Sequence, residues 1–177
     1  MPLHLPVKSV IAFCETGSGE EMKSLLLLLS AGLMAMPLSA EEGELFLALG
    51  GFNVGKSDST AMAQVEYRFA ADWYGIRPQA GFFVTEDSAS YWYGGVAYPW
   101  SINDNWSLTP SLAAGYYNNG ADKDLGYDVE FYSQLLLEYR LDNNAQIGLG
   151  VGHISNADIG DFNPGAETAY LSYRFSF

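Results

Sequence analysis

The sequence predicts an all-β fold: an eight-stranded antiparallel β-barrel that crosses a bacterial outer membrane. Three observations lead to this prediction. Apolar and polar residues alternate along most of the segment 41–177, which is the pattern of strands whose two faces meet different surroundings. The alternating segments are mostly about ten residues or longer, the length that a tilted strand needs to cross a bilayer. Short and long turns also alternate between them, as in small outer-membrane barrels.

The first 40 residues are expected to lie outside the barrel. Lys23 precedes the apolar run 24–36, and the small residue Ala40 follows it closely. A positive residue, a short apolar run and a small residue at the exit are the features of a secretory signal peptide. We therefore interpret residues 22–40 as a signal peptide that is cleaved after Ala40, with an uncleaved membrane anchor as the alternative. Residues 1–21 precede this complete signal, and we interpret them as a misassigned extension.

Composition excludes several functions for the mature chain. The net charge of the whole sequence, −13, argues against a nucleic-acid partner, and its 15% aromatic content argues against disorder. The single cysteine, Cys14, lies before the predicted cleavage site, so neither a disulfide nor a thiol nucleophile is expected. One histidine without cysteines provides no zinc-ligand set. We expect no metal and no cofactor.

Eight strands are expected in order along the mature chain. Their approximate spans are 43–52, 60–70, 73–85, 89–101, 105–118, 126–140, 145–155 and 167–177. The second strand has apolar side chains at odd positions from Ala63 to Phe69, with polar residues between them. The sixth strand shows the same alternation, and the eighth has apolar residues at odd positions from Ala169. Tight turns follow strands two, four and six, which places both chain termini in the periplasm.

In a membrane barrel the apolar face meets lipid and the polar face lines the lumen. Polar residues of the inward face are Gln64, Glu66, Arg68, Arg77, Gln79, Glu130, Gln134, Glu138, Arg140 and Arg174. Aromatic residues near the strand ends suit two interfacial girdles. These are Trp73, Tyr74, Tyr98, Trp100, Trp106, Tyr139 and Tyr173 on the periplasmic side, and Phe82, Trp92 and Tyr116 on the outer side. The alternative is a soluble secreted barrel of the lipocalin type, whose apolar face would point inward.

The last strand ends on Phe177, after aromatic residues at Tyr173 and Phe175. This ending is similar to the terminal aromatic signature that the barrel-assembly machinery recognises. The machinery is therefore an expected partner during insertion, and outer-membrane lipid is expected around the finished barrel.

Polar residues interrupt the outward face of the seventh strand. That face runs from Ile147 to Val151, and because side chains repeat every second residue, His153 and Ser155 continue it. Glu167 has the outward parity of the eighth strand and lies at the level where the seventh strand ends. Facing residues on paired strands are close enough to meet. We therefore expect a hydrogen bond between His153 and Glu167.

A hydroxyl, an imidazole and a carboxylate in this order are the parts of a serine hydrolase site. A serine nucleophile needs a base, and the base needs a third group that orients it, which gives the roles of Ser155, His153 and Glu167. The Asn156 side chain and the backbone N–H groups of residues 155–160 are the candidate donors to a developing oxyanion. The alternative interpretation is that these are ordinary polar residues at a membrane rim.

The segment His153-Ile154-Ser155-Asn156-Ala157, followed eleven residues after Asn156 by Glu167 and then by a tyrosine-rich closing strand, resembles the outer-membrane lipid A 3-O-deacylases, the PagL family. The likeness is strongest over 145–177. It implies an eight-stranded barrel that hydrolyses the ester-linked acyl chain at the 3 position of lipid A. It also implies a triad of Ser155, His153 and Glu167 on the outside of the barrel, with Asn156 in the oxyanion hole.

Lipid A within lipopolysaccharide is then the expected substrate, and the Gram-negative outer membrane the expected location. One alternative is a non-enzymatic barrel of the OmpA/OmpX type, which acts through its loops in adhesion or envelope stability. A small-solute channel is a third interpretation, although eight strands leave a filled interior. Contacts along the lipid-facing wall could also support a homodimer.

Overall fold

The computed structural model describes residues 43–70 and 74–176, and these residues form a closed antiparallel β-barrel. Its strands are β1 (Glu44–Phe52), β2 (Thr60–Arg68), β3 (Arg77–Thr85), β4 (Ser90–Ala97), β5 (Trp100–Ser101), β6 (Trp106–Asn118), β7 (Val129–Arg140), β8 (Gln146–Ser155) and β9 (Ala166–Ser176). The interpretations of residues 1–21 and 22–40 concern residues outside these ranges. Across the described residues, helices with the length and apolar character to span a membrane are absent.

The barrel closes because β1 pairs with both β2 and β9. The fourth predicted strand, 89–101, is divided in the structure into β4 and β5, which both pair with β6. The division falls at Tyr98 and Pro99, and a proline has no N–H to donate to the ladder. Nine segments therefore form eight wall strands, and the predicted eight-stranded antiparallel barrel is confirmed.

The outer wall of the barrel is apolar. Large aliphatic side chains point away from the lumen on β1, β7, β8 and β9 and are exposed. They include Leu47, Leu49, Leu135, Leu137, Leu149, Val151 and Leu171. The interior holds charged and amide side chains among aromatic rings. This arrangement is the reverse of a soluble lipocalin-type barrel, so the lipocalin alternative is wrong.

Most of the polar residues predicted to face the lumen are buried there. Arg174 binds one of them, Glu138, because Nε and Nη2 donate at 2.8 Å each to its two carboxylate oxygens. Nη1 of Arg174 donates to Glu44, which is not among the predicted residues. Glu44 also accepts from Arg77 at 2.8 Å. This polar layer joins β1, β3, β7 and β9 across the lumen. One prediction is wrong: Arg140 ends β7 and is exposed rather than enclosed in the lumen.

The glycines of β8 make room for rings from the neighbouring strands. A Cβ on Gly150 would lie 2.1 Å from Cε2 of Tyr170, and a Cβ on Gly152 would lie 2.5 Å from Cε2 of Tyr132. The inward side of β8, where Gly150 and Gly152 carry no side chains, is thus filled by these two tyrosines. This packing fixes which face of β8 points outward.

The strand ends differ from prediction where a loop turns inward. The predicted sixth strand begins at residue 126, whereas β7 begins at Val129. Gly126 has a φ of +87°, and Leu125 is fully buried in the core cluster with Phe52, Phe83 and Ile154. Loop 119–128 therefore closes the mouth of the barrel instead of extending the strand.

Candidate active site

The predicted site residues of β8 and β9 lie on the outer wall. Along β8, Leu149 is 64% exposed and Val151 is 56% exposed, and the exposed face continues to His153. Ser155 is the last residue of β8 and shares this parity. Because the inward face of β8 is packed against tyrosine rings, the polar side chains at the end of this row are directed outward.

His153 and Glu167 are directly opposite each other in the antiparallel register of β8 and β9. Nδ1 of His153 and Oε1 of Glu167 are 2.9 Å apart, which is a hydrogen bond. The side chains are 48% and 60% exposed, respectively. The backbone of Glu167 is held in turn, because its carbonyl accepts from the N–H of Val54 at 3.0 Å. The predicted contact between the imidazole and the carboxylate is therefore present.

The other edge of the His153 ring lies over Gly165. A Cβ on Gly165 would be 2.8 Å from Cε1 and 3.3 Å from Nε2 of the ring. The register pairs Ile154 with Ala166, so one further step places Gly165 beside Ser155. Since Nδ1 is engaged by Glu167, Nε2 is the nitrogen left for a second partner, and it lies on the side of Ser155.

Ser155 and His153 are not in hydrogen-bond contact. The Ser155 hydroxyl has no hydrogen-bond partner among residues 43–70 and 74–176. Two residues along a strand are about 6.6 Å apart, a separation that an imidazole ring can bridge. Contacts between nucleophile and base are often looser without substrate.

Asn156 is completely buried and all of its polar groups are used. Its Nδ2 donates to the carbonyl of Leu125 at 2.8 Å and to that of Phe162 at 2.9 Å. Its Oδ1 accepts from the N–H of Asp158 at 3.0 Å, and its own N–H donates to Oδ1 of Asn163 at 3.1 Å. The side-chain amide therefore has no N–H left for an oxyanion, which does not fit the expected role.

The backbone after Ser155 adopts a conformation that side chains rarely allow. Ala157 has a φ of 54° and Asp158 a φ of 61°, so two consecutive non-glycine residues are left-handed. Such strain persists where the surroundings enforce it, and it clusters at functional sites. In the part of the chain that the structure describes, the N–H of Ala157 has no acceptor. A backbone donor is thus free two residues after the serine.

An apolar groove of about 710 Å³ lies on the wall directly below the polar residues and crosses the strands from β6 to β1. Val151 and Ala169 pair with each other at its upper end, one outward level below His153 and Glu167. The groove continues between aliphatic side chains. These include Leu49, Leu135, Leu137, Leu149 and Leu171. Its aliphatic lining suits an acyl chain rather than a polar molecule.

Three residues that surround the candidate site were not predicted from the sequence. Ser133 of β7 lies opposite His153, and its hydroxyl donates to the backbone carbonyl of His153 at 3.3 Å. The sequence indicates this residue only as a polar side chain among the apolar outward positions of β7. Leu125 and Asn163 act through loop contacts, and nothing in the local sequence pattern marks them. Groups of three or more His, Cys, Asp or Glu side chains placed to hold a metal ion are absent from the described ranges.

Sequence comparisons find relatives of this chain among known proteins. A family model described as lipid A 3-O-deacylase (PagL) matches residues 59–176. The lipid A deacylase PagL of Bordetella bronchiseptica is 24% identical over 129 residues, which cover 63% of this chain and 68% of that protein.

Two solved structures share the fold. The crystal structure of the outer membrane enzyme PagL has a TM-score of 0.55 at 18% identity, covering 75% of this chain and 98% of that one. A de novo designed transmembrane β-barrel has a TM-score of 0.58 at 10% identity, covering 80% and 100%. The designed barrel has a TM-score as high as that of the enzyme. The structural likeness therefore establishes the fold alone, and any argument about chemistry must come from the residues of the site.

Proposed function

The chain belongs to the lipid A 3-O-deacylase (PagL) family, and we propose that it hydrolyses the ester-linked acyl chain at the 3 position of lipid A in the outer leaflet of a Gram-negative outer membrane. The observation that carries the proposal is the hydrogen-bonded pair of His153 and Glu167, next to Ser155 on a largely apolar outer wall. A substrate whose ester lies at the membrane surface meets such a site without entering the barrel.

The proposed mechanism is acyl transfer to serine followed by hydrolysis. Oγ of Ser155 attacks the ester carbonyl, and Nε2 of His153 takes the hydroxyl proton. Glu167 fixes the ring through Nδ1 and stabilises the imidazolium that forms. The imidazolium then protonates the sugar oxygen as its bond to the acyl carbon breaks, so the sugar leaves with a free hydroxyl. A water molecule, deprotonated by His153, releases the acyl chain as a fatty acid and restores the Ser155 hydroxyl.

The developing oxyanion requires donors that are not already bonded. Since both N–H bonds of Asn156 are engaged, we assign this role to the backbone, with the N–H of Ala157 as the first candidate. The apolar groove below the site would hold the acyl chain that is removed, because Val151 and Ala169 place its upper end beside the catalytic pair.

The alternative of a non-enzymatic barrel accounts less well for the outer wall. Ionisable groups that face lipid are costly and are retained where they serve a function. A barrel that acts through its loops needs no imidazole–carboxylate pair on this face. The prediction of a homodimer and that of recognition by the assembly machinery through Phe177, which lies outside the described residues, both remain predictions.

Substitution of the proposed nucleophile tests the function. Detergent-solubilised protein is incubated with lipopolysaccharide, and the lipid A is weighed by mass spectrometry. We expect the wild type to remove one 3-hydroxyacyl group and Ser155→Ala to remove none, since without the hydroxyl the reaction has no nucleophile.

Ser133→Ala is the matched control. Its hydroxyl also neighbours His153, but it is engaged by a backbone carbonyl, so this variant should keep deacylating. A wild type that leaves lipid A intact would contradict the function. A Ser133→Ala variant that is inactive while Ser155→Ala is active would move the nucleophile to Ser133.

A further inference from the structure

We propose that Asn156 is a positioning residue, which fastens loop 119–128 to loop 156–165 and thereby holds the backbone after Ser155 in its reactive conformation. The inference rests on the proposed deacylase function and deepens it, because it makes loop 119–128 a part of the active site. Loop 119–128 is remote from Ser155 in sequence, and its carbonyl at Leu125 reaches Asn156 across 31 residues.

The first support is the way Asn156 is bonded. One amide nitrogen donates to two carbonyls, one in each loop, at 2.8 Å and 2.9 Å. The side chain is enclosed, with 0% exposure. For its amide to bind a substrate oxygen, one of these buried carbonyls would have to lose its donor, which is unfavourable because an unpaired buried polar group is expensive. We therefore infer that the Asn156 side chain holds the two loops together and does not bind the substrate.

The second support is that the carbonyl held by Asn156 is itself firmly anchored. The Leu125 side chain is fully buried in the core at the barrel mouth. The neighbouring carbonyl of Lys123 accepts from the Tyr117 hydroxyl at 2.8 Å, and Nζ of Lys123 donates to Oδ1 of Asn53 at 3.1 Å. The Thr60 hydroxyl donates to Asp122 at 2.6 Å. Asn156 is thus tied to a loop that is fixed on both sides of the mouth.

The third support is that the two loops touch where no side chain fits. A Cβ on Gly126 would lie 2.2 Å from the carbonyl oxygen of Phe162, and a Cβ on Gly160 would lie 2.8 Å from the carbonyl oxygen of Gly126. These two glycines allow the carbonyls of Leu125 and Phe162 to approach one amide group. An added methyl group at either position would push the loops apart.

The conformation held in this way is the left-handed pair Ala157 and Asp158. Oδ1 of Asn156 accepts from the N–H of Asp158, so the same side chain that joins the loops also holds the strained turn. The turn sets the direction of the free N–H of Ala157. If the loops separate, the turn relaxes and both Ser155 and this donor shift. The groove on the wall is unaffected, so we expect kcat to fall while KM stays nearly unchanged.

Gly126→Ala is the decisive variant, because it separates the loops without changing Asn156. Gly55→Ala is its matched control: Gly55 has a φ of +84°, close to the +87° of Gly126, but a Cβ there would have nothing within 4 Å. Both substitutions place alanine in a left-handed position, and only one adds a clash. Misplacement of about 1 Å can lower a rate roughly 100-fold.

We expect Gly126→Ala to lower kcat by about 10- to 100-fold with KM nearly unchanged, and Gly55→Ala to change kcat by less than about twofold. Asn156→Asp, which keeps the Oδ1 acceptor but loses both donors, should lose kcat to a similar extent. If Asn156 instead donates directly to the oxyanion, Asn156→Asp will be inactive while Gly126→Ala resembles Gly55→Ala. That outcome would overturn the proposal.

A fluorophosphonate probe gives a second measurement that needs no lipid substrate. The rate at which it labels Ser155 should fall by similar factors in Gly126→Ala and Asn156→Asp, and stay unchanged in Gly55→Ala. Folded barrels are identified first by their shifted mobility in unheated gels, and Gly160→Ala replaces Gly126→Ala if the latter does not fold.

The two measurements separate the proposals. A wild type that is labelled by the probe but does not deacylate lipid A would contradict the proposed substrate alone. Equal labelling of all variants would contradict the positioning role of Asn156.

Discussion

At the scale of single residues, the outer wall carries a charged carboxylate where aliphatic side chains prevail. Glu167 is 60% exposed and has His153 as its partner at 2.9 Å. In a protein-enclosed triad the third residue is buried; here it is open on one side. Its contribution to the rate can therefore be measured with little risk to the fold, because an exposed side chain supports little packing.

Glu167→Gln tests this contribution. The amide can still bond to Nδ1, but it cannot stabilise an imidazolium, and general acid–base catalysis supplies about 10²- to 10⁴-fold. We expect kcat for lipid A deacylation to fall by about 100-fold or more, with the barrel as stable as the wild type. Glu86→Gln, at an exposed carboxylate of another loop, is the control. Equal activity in both variants would remove Glu167 from the mechanism.

Individual residues also show how much of the site could be predicted from the sequence. Strand parity was sufficient to place His153 and Glu167 on one face and opposite each other, because the side-chain period of two is strict. It could not predict the surroundings of Asn156. The two acceptors of its amide, the carbonyls of Leu125 and Phe162, belong to loops whose paths no alternation pattern describes. The mismatch between the expected oxyanion donor and the observed loop contact follows from this.

At the scale of elements, β8 owes its role to its glycines. Tyr170 and Tyr132 occupy the space beside Gly150 and Gly152, and this packing keeps the aliphatic residues and the proposed catalytic residues on the opposite face. Sequence periodicity predicted the strand and its direction. The division between β4 and β5 was missed, because the alternation continues across Pro99 although the ladder is interrupted there.

Gly150→Ala should destabilise the barrel. The new Cβ would lie 2.1 Å from the Tyr170 ring, and forcing extra carbon into a packed interior lowers the free energy of unfolding by about 1 to 3 kcal/mol. Urea unfolding in detergent micelles, followed by tryptophan fluorescence, measures the change. Val96→Ala, on the outward face of β4, is the control and should have a smaller effect. A Gly150→Ala variant as stable as the wild type would show that Tyr170 does not need this space.

At the scale of the whole molecule, the polar layer around Arg174 joins strands that are far apart in sequence. Glu44 lies 130 residues from Arg174 and bonds to it directly, next to the seam at which β1 and β9 close the barrel. The sequence predicted that polar residues such as Glu138 and Arg174 face the lumen. Which of them pair depends on the stagger of the closed barrel, and the exposed position of Arg140 shows that parity alone does not reveal where the lumen ends.

Arg174→Met tests the polar layer. Glu138 would lose its bidentate partner while staying buried, and breaking a buried ion pair on one side costs about 3 to 5 kcal/mol. The urea midpoint should fall accordingly. Adding Glu138→Leu to the same chain should recover part of the loss, because it removes the buried carboxylate that has lost its bidentate partner. Glu44 keeps Arg77, and Arg68 keeps Glu66. No recovery in the double variant would mean that Arg174 acts chiefly through other contacts.

The exposure of His153 and Glu167 has a consequence for the proposed reaction. A soluble esterase surrounds its catalytic groups with its own chain, whereas the exposed sides of His153 and Glu167 would be covered by the surrounding lipid. The ester and its acyl tail would approach sideways within the leaflet, and the hydrolytic water would arrive from above, past loop 156–165. The two reactants would thus use perpendicular routes, and the rate should respond to how tightly the neighbouring lipids are packed.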